Sequence, residues 1–303
     1  MSSSPECYAD FLERMGHSVR VIDGRYWFNT ARGVYTCFPF HQDVDAHTLP
    51  LKEILGRDGL VARYGCPIDQ GVDSFRILCD ESDYGFSSLR SRTRTQVRRG
   101  LEACQVEQVD FADLGRQAIP LNADTLVRQG RKVPDNLESY WTQYFREAGR
   151  TPGAESWAAF VDGDMAAYLI SFMIEDVSNL LILRSSLSHL KSYPNNALVF
   201  EFLSRRMQSD DCSQVVYGYE SIQEGLGSLD QFKTGMGFRR APTGQRVELS
   251  RWVAPFMNRI TIPAASRVLN RLGSGENNAK LRGILSWYQQ QPRLADTELC
   301  RAA

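Results

Sequence analysis

The sequence predicts an α/β (α+β) fold, in which a mixed β-sheet is flanked by helices. Strands and helices alternate through residues 105–250 in the order βααβββαβαβ. The segment before residue 86 is rich in short, turn-bounded β patterns, and residues 86–104 change to a helical period. The 303 residues suffice for one large domain or two ordinary ones.

The N-terminal part is predicted to be mostly strands. Asp23-Gly24 is a turn dipeptide between two short apolar runs, which favours a hairpin of strands 19–21 and 26–28. We expect three further strands and one short helix, at residues 34–38, 60–64 and 75–79 for the strands and 49–58 for the helix.

Residues 86–104 form a predicted amphipathic helix with an unusual charge. Its apolar positions recur at spacings of four and three, at Leu89, Thr93, Val97, Leu101 and Cys104. Five arginines flank this stripe: Arg90, Arg92, Arg94, Arg98 and Arg99. We assign Arg94 and Arg98 to binding phosphates of tRNA, of a nucleotide-linked acceptor or of a lipid head group. A solvated helix face is the alternative.

The order of elements continues clearly after residue 105. Asp162-Gly163 predicts a second hairpin, and Pro194 predicts the first turn of a helix that ends near Met207. The remaining predicted elements are strands at 105–109, 180–183, 214–219 and 245–249 and helices at 111–130, 136–148 and after the capping box at residue 228. We divide the chain into residues 1–104, a β-rich half ending in the arginine-rich helix, residues 105–250 and a basic extension over 251–303.

Composition excludes several classes of protein. A net charge of −1 argues against a protein that coats nucleic acid, although the 251–303 extension has eight basic and three acidic residues. Seven scattered cysteines without a C-x-x-C pair and four isolated histidines predict neither a metal site nor a disulfide framework. With no signal peptide or membrane-spanning segment in the sequence, we expect a cytoplasmic protein.

Several segments together resemble the GNAT-fold acyltransferases, in particular the FemAB and BioF2-like branch with its tandem or half-duplicated GNAT-like domains. The segments that carry this resemblance are YTCFPF, SLRSRTRTQVRRGLEACQVEQV, LLILRSSLSHLKSYPNNALVFEFLSRRM, VVYGYESI and LDQFKTGMGF. The resemblance implies that residues 105–250 are a GNAT-like acyltransferase domain whose strands splay near Leu183 and Tyr217. It also implies that the N-terminal half is a second, partial GNAT-like domain.

Lys233 is the main candidate for catalysis, because the resemblance places the matching lysine at the acyl-donor end of the site. A cation there stabilises a developing oxyanion, whereas the alternative is a surface lysine that balances its helix dipole. Tyr219 and Glu220 lie at the end of a predicted strand, where Glu220 would accept the proton of an attacking amine and Tyr219 would relay it or orient a carbonyl.

The substrate contacts are expected on the loops around these residues. We assign substrate binding to Arg184, Ser185, Tyr193, Asn195, Asn196, Tyr217 and Phe232. The loop LSHLKSYPNNA lacks the glycines of the family's usual [QR]-x-x-G-x-[GA] pyrophosphate loop, although the N–H groups of Asn195 and Asn196 could still face an anion. This departure weakens coenzyme A as the donor and leaves aminoacyl-tRNA or an unusual thioester.

We therefore expect an acyltransferase that joins an activated acyl or aminoacyl group to an amine in a ternary complex, with no tightly bound cofactor and no metal. No Ser-His-Asp, Cys-His or G-x-S-x-G pattern offers a covalent nucleophile. The acceptor is a small-molecule or peptide amine; peptidoglycan precursor, metabolite, peptide and sugar amines all remain open. The alternatives are an acyl-CoA-dependent small-molecule N-acyltransferase and a non-catalytic GNAT-like module that binds RNA or a partner.

Overall fold

The computed structural model describes residues 3–220, 227–258, 260–271 and 276–294, which fall into two compact units. The first unit comprises Met1–Gly16, Ile77–Gly218 and Asp230–Arg239. The second comprises His17–Arg76, Tyr219–Leu229 and Arg240–Ala303. None of the helices in these described ranges is both long enough and apolar enough to cross a bilayer.

The described residues form both strands and helices in each unit. The strands are β1 (Val19–Ile22), β2 (Arg25–Ala31), β3 (Val34–Phe38), β4 (Val61–Cys66), β5 (Val72–Cys79), β6 (Gln105–Gln108), β7 (Ala154–Val161), β8 (Asp164–Ile174), β9 (Val177–Ser185), β10 (Gln214–Tyr219) and β11 (Arg239–Leu249). The helices are α1 (Pro5–Arg14), α2 (Leu51–Leu55), α3 (Ser91–Ala103), α4 (Phe111–Gln117), α5 (Ile119–Arg128), α6 (Leu137–Ala148), α7 (Pro194–Met207), α8 (Gly227–Gly235), α9 (Thr261–Arg271) and α10 (Glu276–Gln290).

In the first unit the strands lie in the order β5-β10-β9-β8-β7-β6. The central strand β8 is buried along almost its whole length, because both of its neighbours pair with it and helices cover it. Helix α7 packs on β7, β8 and β9, and α3 packs on α7. The aromatic core contains Phe145, Tyr168, Phe172 and Phe202, all nearly inaccessible to water.

The strands β9 and β10 separate part-way along their length. Their parallel pairing runs from Val177 and Gln214 to Asn179 and Val216 and then stops. Beyond this point β9 continues in register with β8, where Ser185 pairs with Ala167. We call the opening between residues 180–185 of β9 and 217–218 of β10 the sheet gap. It lies where the sequence analysis expects the strands to splay.

In the second unit the strands lie in the order β1-β2-β3-β4-β11-β5. Trp27, Tyr35, Ile54 and Tyr64 form its core. Helix α10 covers part of the sheet, where three of its side chains pack against Val61, Val247 and Leu249: Ile284, Trp287 and Tyr288. The basic extension therefore packs on the sheet of the second unit through α10.

Three large apolar side chains in the same extension are exposed instead of packed on the sheet. Trp252, Phe256 and Ile260 have 67%, 69% and 81% of their surfaces exposed. Arg251 stacks on Trp252, with its guanidinium carbon 4.7 Å from the ring centroid.

The structure differs from the sequence expectations in three places. Helix α1, which was not predicted, buries Tyr8 and Phe11 against Phe172. The helix expected over 111–130 divides into α4 and α5, with Pro120 in the first turn of α5. The two units do not follow the division at residues 104 and 250, because β11 pairs with β4, far away in the sequence.

Candidate functional site

Helix α8 ends in a turn that fixes the position of Lys233. The N–H of Phe238 donates to the carbonyl of Lys233 at 3.2 Å, and the N–H of Gly237 donates to that of Thr234 at 3.5 Å. These two bonds, with Gly237 at a φ of +92°, form a Schellman C-cap. The local sequence KTGMGF is thus sufficient to end the helix at this point.

Close contacts hold the same turn in place. A Cβ on Gly237 would lie 2.7 Å from Cε2 of Tyr84, whose hydroxyl donates to the carbonyl of Met236 at 2.7 Å. The carbonyl of Gly235 accepts from the N–H of Arg90 at 3.3 Å, and a Cβ on Gly235 would meet Oγ1 of Thr93. Glycine is therefore needed at both positions of the F-K-x-G-x-G segment, for different reasons.

Lys233 lies against an aromatic ring instead of extending into solvent. Only 7% of its surface is exposed, and its Nζ lies 4.2 Å from the ring centroid of Tyr217. The edge of Phe238 packs on the same ring, with centroids 5.5 Å apart. Because a partly desolvated ammonium over an aromatic face is a stabilising cation–π contact, the site is preorganised around Lys233 and Tyr217.

Burial raises the pKa of the Tyr217 hydroxyl to about 12, while the nearby charge of Arg184 acts in the opposite direction. The hydroxyl therefore stays protonated at neutral pH. Phe232, the preceding residue on α8, is half-buried. Of the predicted residues, the structure thus brings together Lys233, Tyr217 and Arg184.

Tyr219 and Glu220 belong to the second unit. The Tyr219 hydroxyl lies so close to the backbone of Gly65 that a Cβ there would overlap it, and burial raises the pKa of this tyrosine well above its usual value. The Glu220 carboxylate accepts from Oγ of Ser74 at 3.0 Å, and Ser74 in turn accepts from Nε2 of Gln245 at 2.7 Å. Within this unit both residues are held by neighbours that sequence reasoning missed.

Arg184 lies at the rim of a pocket in the first unit. Its Nη1 donates to the carbonyl of Leu183 at 3.0 Å, and its guanidinium carbon lies 5.7 Å from the ring centroid of Trp141. The pocket has a volume of about 280 Å³. Ser185, by contrast, is fully buried, and its Oγ accepts from Arg128 and Asn195 at 3.0 and 3.1 Å. Arg128 and Asn195 therefore both hold the Ser185 side chain, and its assignment to substrate binding stays a prediction.

Comparison with known proteins supports the fold. No protein-family model matches the sequence, and no curated protein does. Among solved structures, FemX aligns over 82% of this chain and 92% of its own, with a TM-score of 0.59 and 13% identity. The chain has the GNAT-type fold of the FemAB-like acyltransferases.

Two lysylphosphatidylglycerol synthetase structures are similar as well. The C-terminal domain of a putative lysylphosphatidylglycerol synthetase from Agrobacterium fabrum aligns over 84% of this chain and 90% of its own, with a TM-score of 0.55 and 11% identity. L-PGS from Bacillus licheniformis aligns over 89% and 97%, with a TM-score of 0.52 and 13% identity. The family resemblance expected from the sequence is confirmed at the level of the fold.

In this FemAB-like fold the loop between β9 and α7 already uses several of its amides within the protein. Between Ser186 and Tyr193, five N–H groups donate to acceptors within the protein: those of Ser186, Leu187, Ser188, Ser192 and Tyr193. The acceptor for Leu187 is the carboxylate of Asp124, at 2.9 Å. A carboxylate in this position repels an incoming phosphate.

The first turn of helix α7 likewise offers few N–H groups to an anion. Pro194 has no N–H, and the N–H of Asn196 donates to the carbonyl of Tyr193 at 3.0 Å. The Asn196 side chain contacts Sδ of Met236 at 3.7 Å, and Tyr193 adopts a left-handed conformation with φ of 52°. Of the two predicted anion-binding amides, Asn196 is already engaged in the helix.

The arginines of α3 divide into two groups. Arg94 donates to the carbonyls of Phe86 and Leu89 at 2.9 and 3.1 Å, and Arg98 lies over the ring of Phe86 at 5.5 Å. The exposed arginines are Arg92, Arg98 and Arg99 on α3 and Arg90 immediately before it. Arg94 therefore anchors the turn before α3, and the exposed arginines form the basic face.

The residues that sequence reasoning missed are those around Arg184. Asn122, Tyr140 and Trp141 line its pocket but lie on α5 and α6. The aromatic run in YWTQYF of α6 is a visible signal, but it does not distinguish a core helix from a pocket wall. Within the described ranges, no cluster of three His, Cys, Asp or Glu side chains could hold a metal ion.

Proposed function

We propose that the protein transfers an activated aminoacyl group to an amine by direct attack, with Lys233 as the catalytic cation. The observation that carries this proposal is the position of Lys233 over Tyr217, at the end of α8, in a chain with the fold of FemX. A surface lysine that only balanced a helix dipole would not need to be 93% covered or held against an aromatic ring.

In this reaction a neutral amine attacks the carbonyl carbon of an ester donor. A C–N bond forms, the carbonyl oxygen becomes an oxyanion, and the C–O bond to the leaving group then breaks. The Lys233 ammonium stabilises the oxyanion. The proton lost by the amine ends on the leaving oxygen. Glu220 stays the predicted proton acceptor, and its own variant tests that role.

The donor in this proposal is aminoacyl-tRNA. The occupied amides of the loop before α7 and the Asp124 carboxylate argue against the backbone cradle that a coenzyme A pyrophosphate needs. The exposed arginines of α3, including Arg92 and Arg99, offer sequence-independent contacts to an RNA backbone. An acyl-CoA N-acyltransferase is the alternative enzyme.

The test measures transfer from charged tRNA to a panel of amino acids, peptides and amino sugars. Lys233→Met should lower kcat by about 100- to 1,000-fold and change KM little. Lys233→Arg should not restore kcat fully, because a planar guanidinium replaces a compact ammonium poorly. Lys52→Met, which removes an exposed lysine on α2 of the second unit, is the matched control and should behave like the wild type.

Three other outcomes of this test would change the proposed mechanism or function. Wild-type kcat in a folded Lys233→Met variant would remove Lys233 from the mechanism. Turnover with acetyl-CoA and none with charged tRNA would favour the acyl-CoA enzyme. Salt-sensitive RNA binding without transfer to any amine would identify a non-catalytic binding module.

A further inference from the structure

We infer that the pocket at Arg184 is the acceptor subsite, and that it binds a carboxylate attached to an apolar or aromatic body. This inference rests on the proposed function, since it names the acceptor of the same site. Helices α5 and α6 supply most of the walls, and β9 supplies Arg184. The side chains on which the inference depends are Asn122, Leu126, Leu137, Tyr140, Trp141 and Arg184.

Arg184 gives the pocket its charge. No acidic residue is among the lining residues, and no salt bridge to Arg184 occurs within the described part of the chain. Asp124, on helix α5, accepts the N–H of Leu187, and its charge partly opposes the lowering of the Arg128 pKa that burial causes. Among the described residues, Arg184 donates one hydrogen bond, from Nη1 to the carbonyl of Leu183, so its other guanidinium N–H groups are left for an anion.

The walls of the pocket match an apolar or aromatic body on the ligand. Trp141 and Tyr140 present aromatic surface, and Leu126 and Leu137 present aliphatic surface. A volume of about 280 Å³ is at the lower end of the range for small-molecule pockets, so one side chain of amino-acid size fits. A carboxylate matches one planar guanidinium fork, whereas a phosphate dianion in an apolar pocket would need further donors.

The pocket also lies beside the proposed reaction centre. Arg184 lies on the part of β9 that borders the sheet gap, and Tyr217 lies on β10 across that gap. Tyr217 is also the ring that contacts Lys233. No carboxylate lines the pocket to pair with an ammonium, so the amine of the ligand would remain outside it, toward the sheet gap. The acceptor class is therefore an amino acid or peptide with a free carboxylate next to an apolar side chain.

The experiment measures binding without turnover. N-acetyl-L-phenylalanine, which has no reactive amine, and N-acetyl-L-phenylalanine amide are titrated into the full chain by calorimetry. The acid should bind at least about tenfold more tightly than the amide, a difference of about 1.4 kcal/mol. Arg184→Gln should abolish this preference, and Arg184→Lys should retain only part of it. Arg116→Gln, an exposed arginine on α4 that pairs with Asp113, should change nothing.

A second variant tests the apolar part of the pocket. Leu137→Trp fills the pocket without touching the charge of Arg184 and should weaken both ligands. Equal affinity for acid and amide in the wild type, an Arg184→Gln variant that keeps the preference, or displacement of N-acetyl-L-phenylalanine by equimolar inorganic phosphate would each overturn the inference.

Transfer assays separate this inference from the proposed function. If the wild-type protein binds the acid and the amide equally but still transfers in a way that depends on Lys233, the subsite inference alone is overturned. If the protein prefers the acid but transfers to no amine, both the acceptor role of the pocket and the proposed function are overturned.

Discussion

Replacing Gly237 with alanine tests whether the end of α8 is held as tightly as its contacts indicate. Two costs are expected. An L side chain at a φ of +92° is strained, and the added Cβ would lie 2.7 Å from Cε2 of Tyr84. The Tyr84 ring is buried and its hydroxyl is bonded to the Met236 carbonyl, so it has little freedom to move away.

Gly163 provides a matched control in the same unit. Its φ is +88°, almost that of Gly237, but nothing lies within 4 Å of a Cβ built there. Gly163→Ala should therefore lower the free energy of unfolding only by the backbone cost, about 1 kcal/mol. Gly237→Ala should add an overpacking cost of about 1–3 kcal/mol, for a total of about 2–4 kcal/mol.

Urea denaturation of both variants beside the wild type measures this difference. In a Tyr84→Ala background, Gly237→Ala should cost little more than the backbone cost of about 1 kcal/mol, since the two residues are in contact. If Gly237→Ala and Gly163→Ala destabilise equally, Tyr84 does not buttress the turn and does not hold Lys233 in a fixed position.

Three further predictions concern single side chains. Tyr217→Phe keeps the ring and should keep turnover, whereas Tyr217→Leu removes a cation–π contact worth about 0.5–2 kcal/mol and should lower kcat. Glu220→Gln should lower kcat by about 100-fold or more if Glu220 accepts the amine proton. Unchanged turnover would show that Glu220 does not accept this proton and that its carboxylate serves to bind Ser74. Burial raises the pKa of Cys37 to about 12, so at pH 8 that thiol is protonated. Among the six cysteines of the described residues, iodoacetamide should label half-buried Cys7 first, as measured by mass spectrometry. Rapid labelling of Cys37 in the folded chain would contradict its burial.

Local patterns in the sequence determined several turns and helix ends of this protein. Asp162-Gly163 forms the tight turn between β7 and β8, and Pro194 begins α7, as predicted. Both rules act through backbone preferences of one or two residues, so they hold wherever the segment lies. The turn at Lys233 is also determined locally, because the backbone hydrogen bonds of its C-cap join residues within 233–238.

Only the tertiary structure decided which distant segments meet. Nothing local indicates that β11 pairs with β4, or that Tyr219 packs on Gly65 while Tyr217, two residues earlier, packs on Lys233. The pocket at Arg184 likewise needs α5, α6 and β9 together. Such contacts depend on which apolar surfaces can be buried at once in a packed core, a property of the whole chain that no short pattern carries.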